Sequence, residues 1–416
     1  MTFNHLSVNR LIFGLSCIAL LACGGKHKKE ETMEIYKKGT FGYDVNYLAG
    51  KDKIVVLKSE DEKSQVLVSP GYQAKVFTST VDGFSGTSLG YLKYEALDSD
   101  EINEHMNGYG GENRLWLGPE GGKYSIYFKP EVEQVYANWH TPAPFDTESW
   151  DIVSSSSKEV RMKKNMKLTN YVGTNFNVDV NRMVKIVEPD HIASLLGITV
   201  NLGVKSVGYL TENSLTNLDN FEWTPRTGTI CIWMLDMYNP APNSLTIVPY
   251  NEGDIQKLGK IATTDYFGEI PADRLKIENG VLYLKTDGKN RNKLGMNAFR
   301  TKAVAGNYDP DTKLLTVTTF DVNKEGIYLN QEWNPKKDPL LGDAMNAYND
   351  GPLEDGSIMG PFYEIESASP AAFLKPGESL VHHHNVYHFV GEEKDLTTIT
   401  EKIFGVSIDK IKSIFP

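Results

Sequence analysis

The chain has 416 residues, 40% hydrophobic, 11% aromatic and 23% charged, which excludes a disordered or low-complexity protein. Its 43 Lys+Arg against 54 Asp+Glu give a net charge of −11, so a phosphate-backbone ligand, and with it nucleic acid, is disfavoured. Three cysteines in this length exclude a disulfide framework and a cysteine-rich zinc cluster.

At the N-terminus Arg10 precedes an apolar run from Leu11 to Cys23. The run is short for a bilayer span and follows a basic residue, the pattern of a secretory signal peptide. It closes on Leu20-Leu21-Ala22-Cys23-Gly24, the form of a bacterial lipobox. The expected organisation is a lipoprotein signal over residues 1–22, a lipidated Cys23 with a polar tether over 23–37, and one folded domain over 38–416. Such a protein is expected in the cell envelope, outside the cytoplasm, with palmitate-type acyl chains holding it to a membrane, the outer one being the expected site. Cys231, in the apolar run Thr229–Trp233, reads as a buried thiol.

The domain carries many short strand signals. Lys53–Leu57, Gln65–Val68 and Tyr124–Phe128 come first, and Asn177–Val187 alternates as a half-buried strand. Pro189–Leu196 reads as a short helix. Thr229–Met234 and Leu245–Pro249 follow. Arg274–Glu278 and Val281–Lys285 flank Asn279-Gly280, a hairpin signature. Leu314–Phe320 and Tyr363–Ser367 complete the strands, and Lys394–Ile414 reads as two short helices broken at Gly405. There is no internal repeat and no long linker. The expected fold is all-β: a single large β-sandwich with few short helices.

Four segments carry candidate chemistry. In Gly108–Gly122, glycines permit close approach, Arg114 offers a forked donor, Trp116 a ring face, and Glu112 and Glu120 carboxylates; the alternative is a β-turn region with a core Trp and with Arg114 paired to Glu112 or Glu120. In Gly360–Leu380, Glu364 and Glu366 share one strand face and suit a general base, unless that face is merely solvated. In an extended His382–Phe389, His382, His384, Val386 and His388 share a face. That histidine cluster can donate protons, hold a metal with a carboxylate, or be structural. Gly342–Pro352 reads as a turn-rich loop in which Asp350 can meet Ca²⁺ or a sugar, or bond within the loop.

Together these segments resemble the galactose mutarotase-like (aldose 1-epimerase-like) superfamily, and within it a group of secreted bacterial lipoproteins. The carriers are Gly110-Gly111-Glu112-Asn113-Arg114-Leu115-Trp116 with Pro119-Glu120, then Asn213–Asn217 with Ile232-Trp233, then Phe362–Ser367 with Leu374–Ser379. The resemblance implies a β-supersandwich with a sugar-binding concave face. It implies Glu366, or Glu364, as the base, and Arg114 as a substrate-gripping residue with Trp116, Glu112, Glu120, Asn213, Trp233 and Asp350 around the sugar. The superfamily places its acid, a His, after the central Asn. Here Asn217 is followed by Leu218, so His384, His388 or His140 would have to serve. No cofactor is implied, and a metal ion is left open. The expected partners are a carbohydrate and the membrane, with the protein a monomer. Three functions compete: a sugar epimerase or mutarotase-like enzyme using a Glu base, a non-catalytic glycan-binding lipoprotein with stacking surfaces at Trp116, Trp139, Trp150 and Trp333, and a structural module.

Overall fold

The computed structural model describes residues 35–353 and 355–415. The signal and Cys23 lie outside the described residues. Residues Tyr36–Pro416 form one compact unit. Two antiparallel sheets face each other, one of eight strands and one of ten. This is the all-β sandwich expected from the sequence.

The smaller sheet runs, edge to edge, Val55–Lys58, Gln65–Ser69, Lys75–Thr80, Asn113–Gly118, Cys231–Tyr238, Tyr363–Ala368, Met345–Asn349 and Asn292–Met296. Its central strands are buried along their whole length, as expected where both faces are covered. The larger sheet carries the long strands Glu159–Thr169, Asn175–Val187, Lys205–Asn217 and Ser379–Val390. There the apolar and polar residues alternate, and the polar set faces water. The hairpin at Asn279-Gly280 forms as expected, with φ of 51° and 75° at its two turn residues.

Helix Pro189–Leu196 starts with Pro at its first turn and stops at Gly197, which adopts φ 63°. Helices Glu393–Phe404 and Ile408–Lys412 are separated at Gly405, φ 77°. They set Leu396, Ile399, Phe404, Ile408 and Ile411 against Ile247, Tyr283, Val317 and Phe389, and so cover part of the outer face of the larger sheet. No helix among the described residues is long and apolar enough to cross a membrane.

Two expectations are corrected. Tyr124–Phe128 is not a strand: its rings are buried in loop structure, where apolar residues satisfy the same burial without ladder pairing. Residues 345–349, expected in a turn-rich loop, form a buried strand between Asn292–Met296 and Tyr363–Ala368. Their Asn and Tyr side chains find partners there, which offsets their weak strand preference.

Candidate active-site cleft

The smaller sheet has two working faces, fixed by register. Arg114 lies opposite Leu235, Leu235 opposite Glu366, and Glu366 opposite Asn346. One step along, Met237, Glu364, Tyr348 and Lys293 form a second row on the same face. These rows floor a cleft, with an inner chamber of about 110 Å³ and an outer one of about 760 Å³ that share Glu120, Tyr136, Phe267, Arg291, Lys293, Trp333 and Met359. Rings wall it. Trp116 meets Trp233 edge-on at 5.7 Å, and Trp139 stacks on Trp333 at 5.9 Å. Tyr136 and Phe267 are the exposed rings of the rim.

The charged groups are held in pairs. Arg114 Nη2 donates to Glu364 Oε1, and the guanidinium lies 5.1 Å from the centre of the Trp116 ring. Glu364 is buried, and that burial, opposed by Arg114 and reinforced by Glu366, raises its proton affinity above the ordinary carboxylate range. Lys293 Nζ donates to Glu366 Oε2 at 2.9 Å, and the Trp233 indole N–H donates to the same oxygen at 2.9 Å. Burial works against the Lys293 ammonium, but the Glu366 and Glu120 carboxylates outweigh it and hold its pKa above the usual lysine value.

Of the two carboxylates lining the inner chamber, Glu120 has partial access to solvent and Glu364 is buried. Burial pushes its pKa up to about 7; Lys293 opposes the rise and Glu366 adds to it. Its position comes from the turn that follows strand Asn113–Gly118. Gly121 there abuts the 330–334 segment, and a Cβ on it would lie 2.5 Å from the Glu332 carbonyl oxygen. That approach carries Trp333 against Glu120. The cleft therefore combines ring faces, two fixed ion pairs and a carboxyl that changes charge near neutrality, a set suited to binding a sugar and moving a proton on it.

Residues 39–415 match the model of a family of unknown function, DUF6786. The chain belongs to this family. No curated protein matches it in sequence. Among solved structures it is similar to the Slr1438 protein from Synechocystis sp. PCC 6803, at 11% identity over 82% of this chain and 97% of that one, TM-score 0.48. It is also similar to a galactose mutarotase-like protein from Lactobacillus casei ATCC 334, at 12% identity over 80% and 99%, TM-score 0.45. A galactose mutarotase related enzyme from Lactobacillus acidophilus aligns at 7% identity over 82% and 97%, TM-score 0.40.

In the DUF6786 chain, Arg114, Trp116, Glu120, Trp233 and Glu364 line the cleft. Others chosen from the sequence do not. Glu366, favoured as the base, is 1% exposed and lies beneath Lys293 and Trp233, with Oε1 unpartnered. Its place in the buried floor makes it a counter-charge for Lys293. His384 and His388 project from the larger sheet into the layer between the sheets, behind the cleft floor. His384 Nε2 donates to Asp236 at 2.9 Å and its Nδ1 accepts from Ser367 Oγ, which in turn accepts from His382. Burial, with His384 beside it, pushes the His382 pKa down to about 3, so His382 is neutral. His388 donates to Glu112 at 3.0 Å, which takes Glu112 out of the cleft as well. Asn213 is buried there too, bonded to Arg182 and Thr211.

His140 bonds the Glu104 carbonyl far from the floor carboxylates. Trp150 is buried and donates to the Pro144 carbonyl, so it offers no stacking face. Asp350 is fully buried, accepting from Tyr348 Oη and from the Gly360 N–H, and lines neither chamber. No group of three or more His, Cys, Asp or Glu placed to hold a metal occurs among the described residues. Cys231 is buried, with its thiol pushed up to about 12. Lys293, Arg291 and Phe267 were missed. Lys293 lies in strand Asn292–Met296 and Arg291 immediately before it, a spacing that the sequence shows only once that strand is assigned.

Proposed function

We propose that the protein is an envelope-anchored carbohydrate-active enzyme that interconverts forms of a sugar by proton transfer in this cleft, in the manner of an aldose epimerase or mutarotase. The observation that carries the reading is Glu120: a partly accessible carboxyl with a pKa of about 7, set among rings and beside the Lys293–Glu366 pair. Neutral Glu364, which holds its proton more tightly than Glu120, gives it to the ring oxygen as the bond from that oxygen to the anomeric carbon breaks. Glu120, ionised beside Lys293, takes the proton of the anomeric hydroxyl, and a carbonyl forms. Reclosure on the other face returns both protons. The segment from Gly110 to Glu120, one of the three that carry the family resemblance, also supplies Arg114 and Trp116 to the same cleft, which supports the reading.

The test is anomer equilibration of an aldose panel, followed by NMR with the full chain. Acceleration is expected for at least one sugar, lost in Glu120→Gln and rising as pH rises through about 7 in the native protein. Uncatalysed rates with every sugar, alongside saturable binding, would replace this reading with a glycan-binding lipoprotein. Anchoring through Cys23 belongs to the same proposal. A palmitate analogue should label the native chain and not Cys23→Ala, and an unlabelled native chain would remove the anchor.

A further inference from the structure

The cations of the cleft are not all held in ion pairs. Arg114 is tied to Glu364 and Lys293 to Glu366. Arg291 lines both chambers and is paired with no carboxylate among the described residues. Its Nε donates to Tyr348 Oη at 3.2 Å, and its guanidinium lies 3.8 Å from the centre of the exposed Phe267 ring. Tyr348 Oη is itself fixed by donating to the buried Asp350, at 2.8 Å. The guanidinium is therefore held flat on a ring and oriented through Nε, and no described residue takes a hydrogen bond from Nη1 or Nη2. A stacked, pre-oriented fork with two free donors matches a planar or tetrahedral oxyanion, and little of its rotamer freedom remains to be lost on binding. Of the carboxylates of the outer chamber, Glu332 is paired with Lys337 at 2.5 Å, Asp355 accepts from Ser357 Oγ at 2.6 Å, and Glu120 feels Arg291 through an attraction without a hydrogen bond.

We infer that the sugar bound in this cleft carries an anionic substituent, a carboxylate or a sulfate or phosphate ester, and that Arg291 receives it. This rests on the proposed sugar-binding function and narrows it to acidic saccharides. The anion would sit toward the outer chamber, where Arg291 and the Phe267 ring define the rim, with the neutral ring of the sugar directed toward Glu120 and the Trp333 face.

The experiment measures binding to the full chain, purified in detergent, of galacturonate, glucuronate, a sugar 6-sulfate and a sugar 6-phosphate against galactose and glucose. At least one acidic sugar should bind about tenfold or more tightly than its neutral counterpart, the size of a charge-assisted contact. The preferred member separates carboxylate from ester recognition. Arg291→Gln should bring the acidic sugar down to the affinity of the neutral one. In the native protein, rising salt should weaken the acidic sugar and leave the neutral one unmoved, a readout that needs no variant. Equal affinity for acidic and neutral sugars would overturn the inference while the sugar-binding function stands. No binding by any sugar would overturn both.

Discussion

Replacing Glu120 by Gln isolates the energetic signature of the cleft. In the fold, burial moves the carboxyl from 4.5 to about 7. Its ionised form is then less favourable in place than in the unfolded chain by about 3 kcal/mol, reduced to about 2 kcal/mol by its partial contact with solvent. The sign follows from which state loses its proton first. Below 4.5 Glu120 is protonated whether the chain is folded or not, and it contributes no pH dependence. As pH rises, the unfolded chain ionises first and stability falls. The loss is complete once the folded group has ionised, above about 7. Gln is neutral throughout, so the difference in unfolding free energy, variant minus native, should grow by about 2 kcal/mol from pH 4 to pH 8. Denaturant titrations of both proteins across that range measure it, and subtraction cancels the other titrating groups. A difference that stays level with pH would refute the assignment of Glu120 as a group held protonated near neutrality.

Arg114→Ala strands Glu364 beside Glu366 and should cost about 3–5 kcal/mol in denaturation, whereas Arg114→Met with Glu364→Gln should cost much less; equal losses would mean that the pair is not the stabilising unit. His384→Ala removes the bonds to Asp236 and Ser367 and should cost about 3 kcal/mol, while the folded protein keeps its sugar affinity; a stable variant that has lost only turnover would return His384 to the chemistry. Gly121→Ala drives a methyl toward the Glu332 carbonyl and should cost about 1–3 kcal/mol and weaken ligand binding by moving Trp333; unchanged binding would detach that turn from the site. Trp333→Ala should weaken sugar binding about tenfold, read by calorimetry, since it removes a ring wall common to both chambers.

Local signals in the sequence carried far where one rule governs a segment. The 189–196 helix has Pro at its start and Gly after its end, and the 275–285 hairpin has Asn-Gly at its turn, so both could be placed to within a residue or two. The 345–349 strand could not, because Asn and Tyr there are stabilised by hydrogen bonds across the sheet and not by their own preference. The site divided in the same way. Arg114, Trp116 and Glu120 stand in one motif, and Glu364 has the alternation of a strand. Which face of a strand looks into the cleft depends on the neighbours it pairs with, and that decided the fate of Glu112 and the histidines, whereas Glu366 shares the face of Glu364 and is covered by Lys293 and Trp233. His382, His384 and His388 do share a face, as the alternation requires, but that face belongs to the other sheet.

Strand Tyr363–Ala368 shows what this arrangement achieves. Glu364 and Glu366 project from its front, and Ser367 is gripped from behind by two imidazoles. The histidines act as a keel behind the floor: any slide of the strand that shifted a carboxylate would first have to break their hydrogen bonds. Because the tuning of the front and the anchoring of the back use alternate residues, the lining of the cleft can be rewritten for a different saccharide without touching what keeps the strand in place.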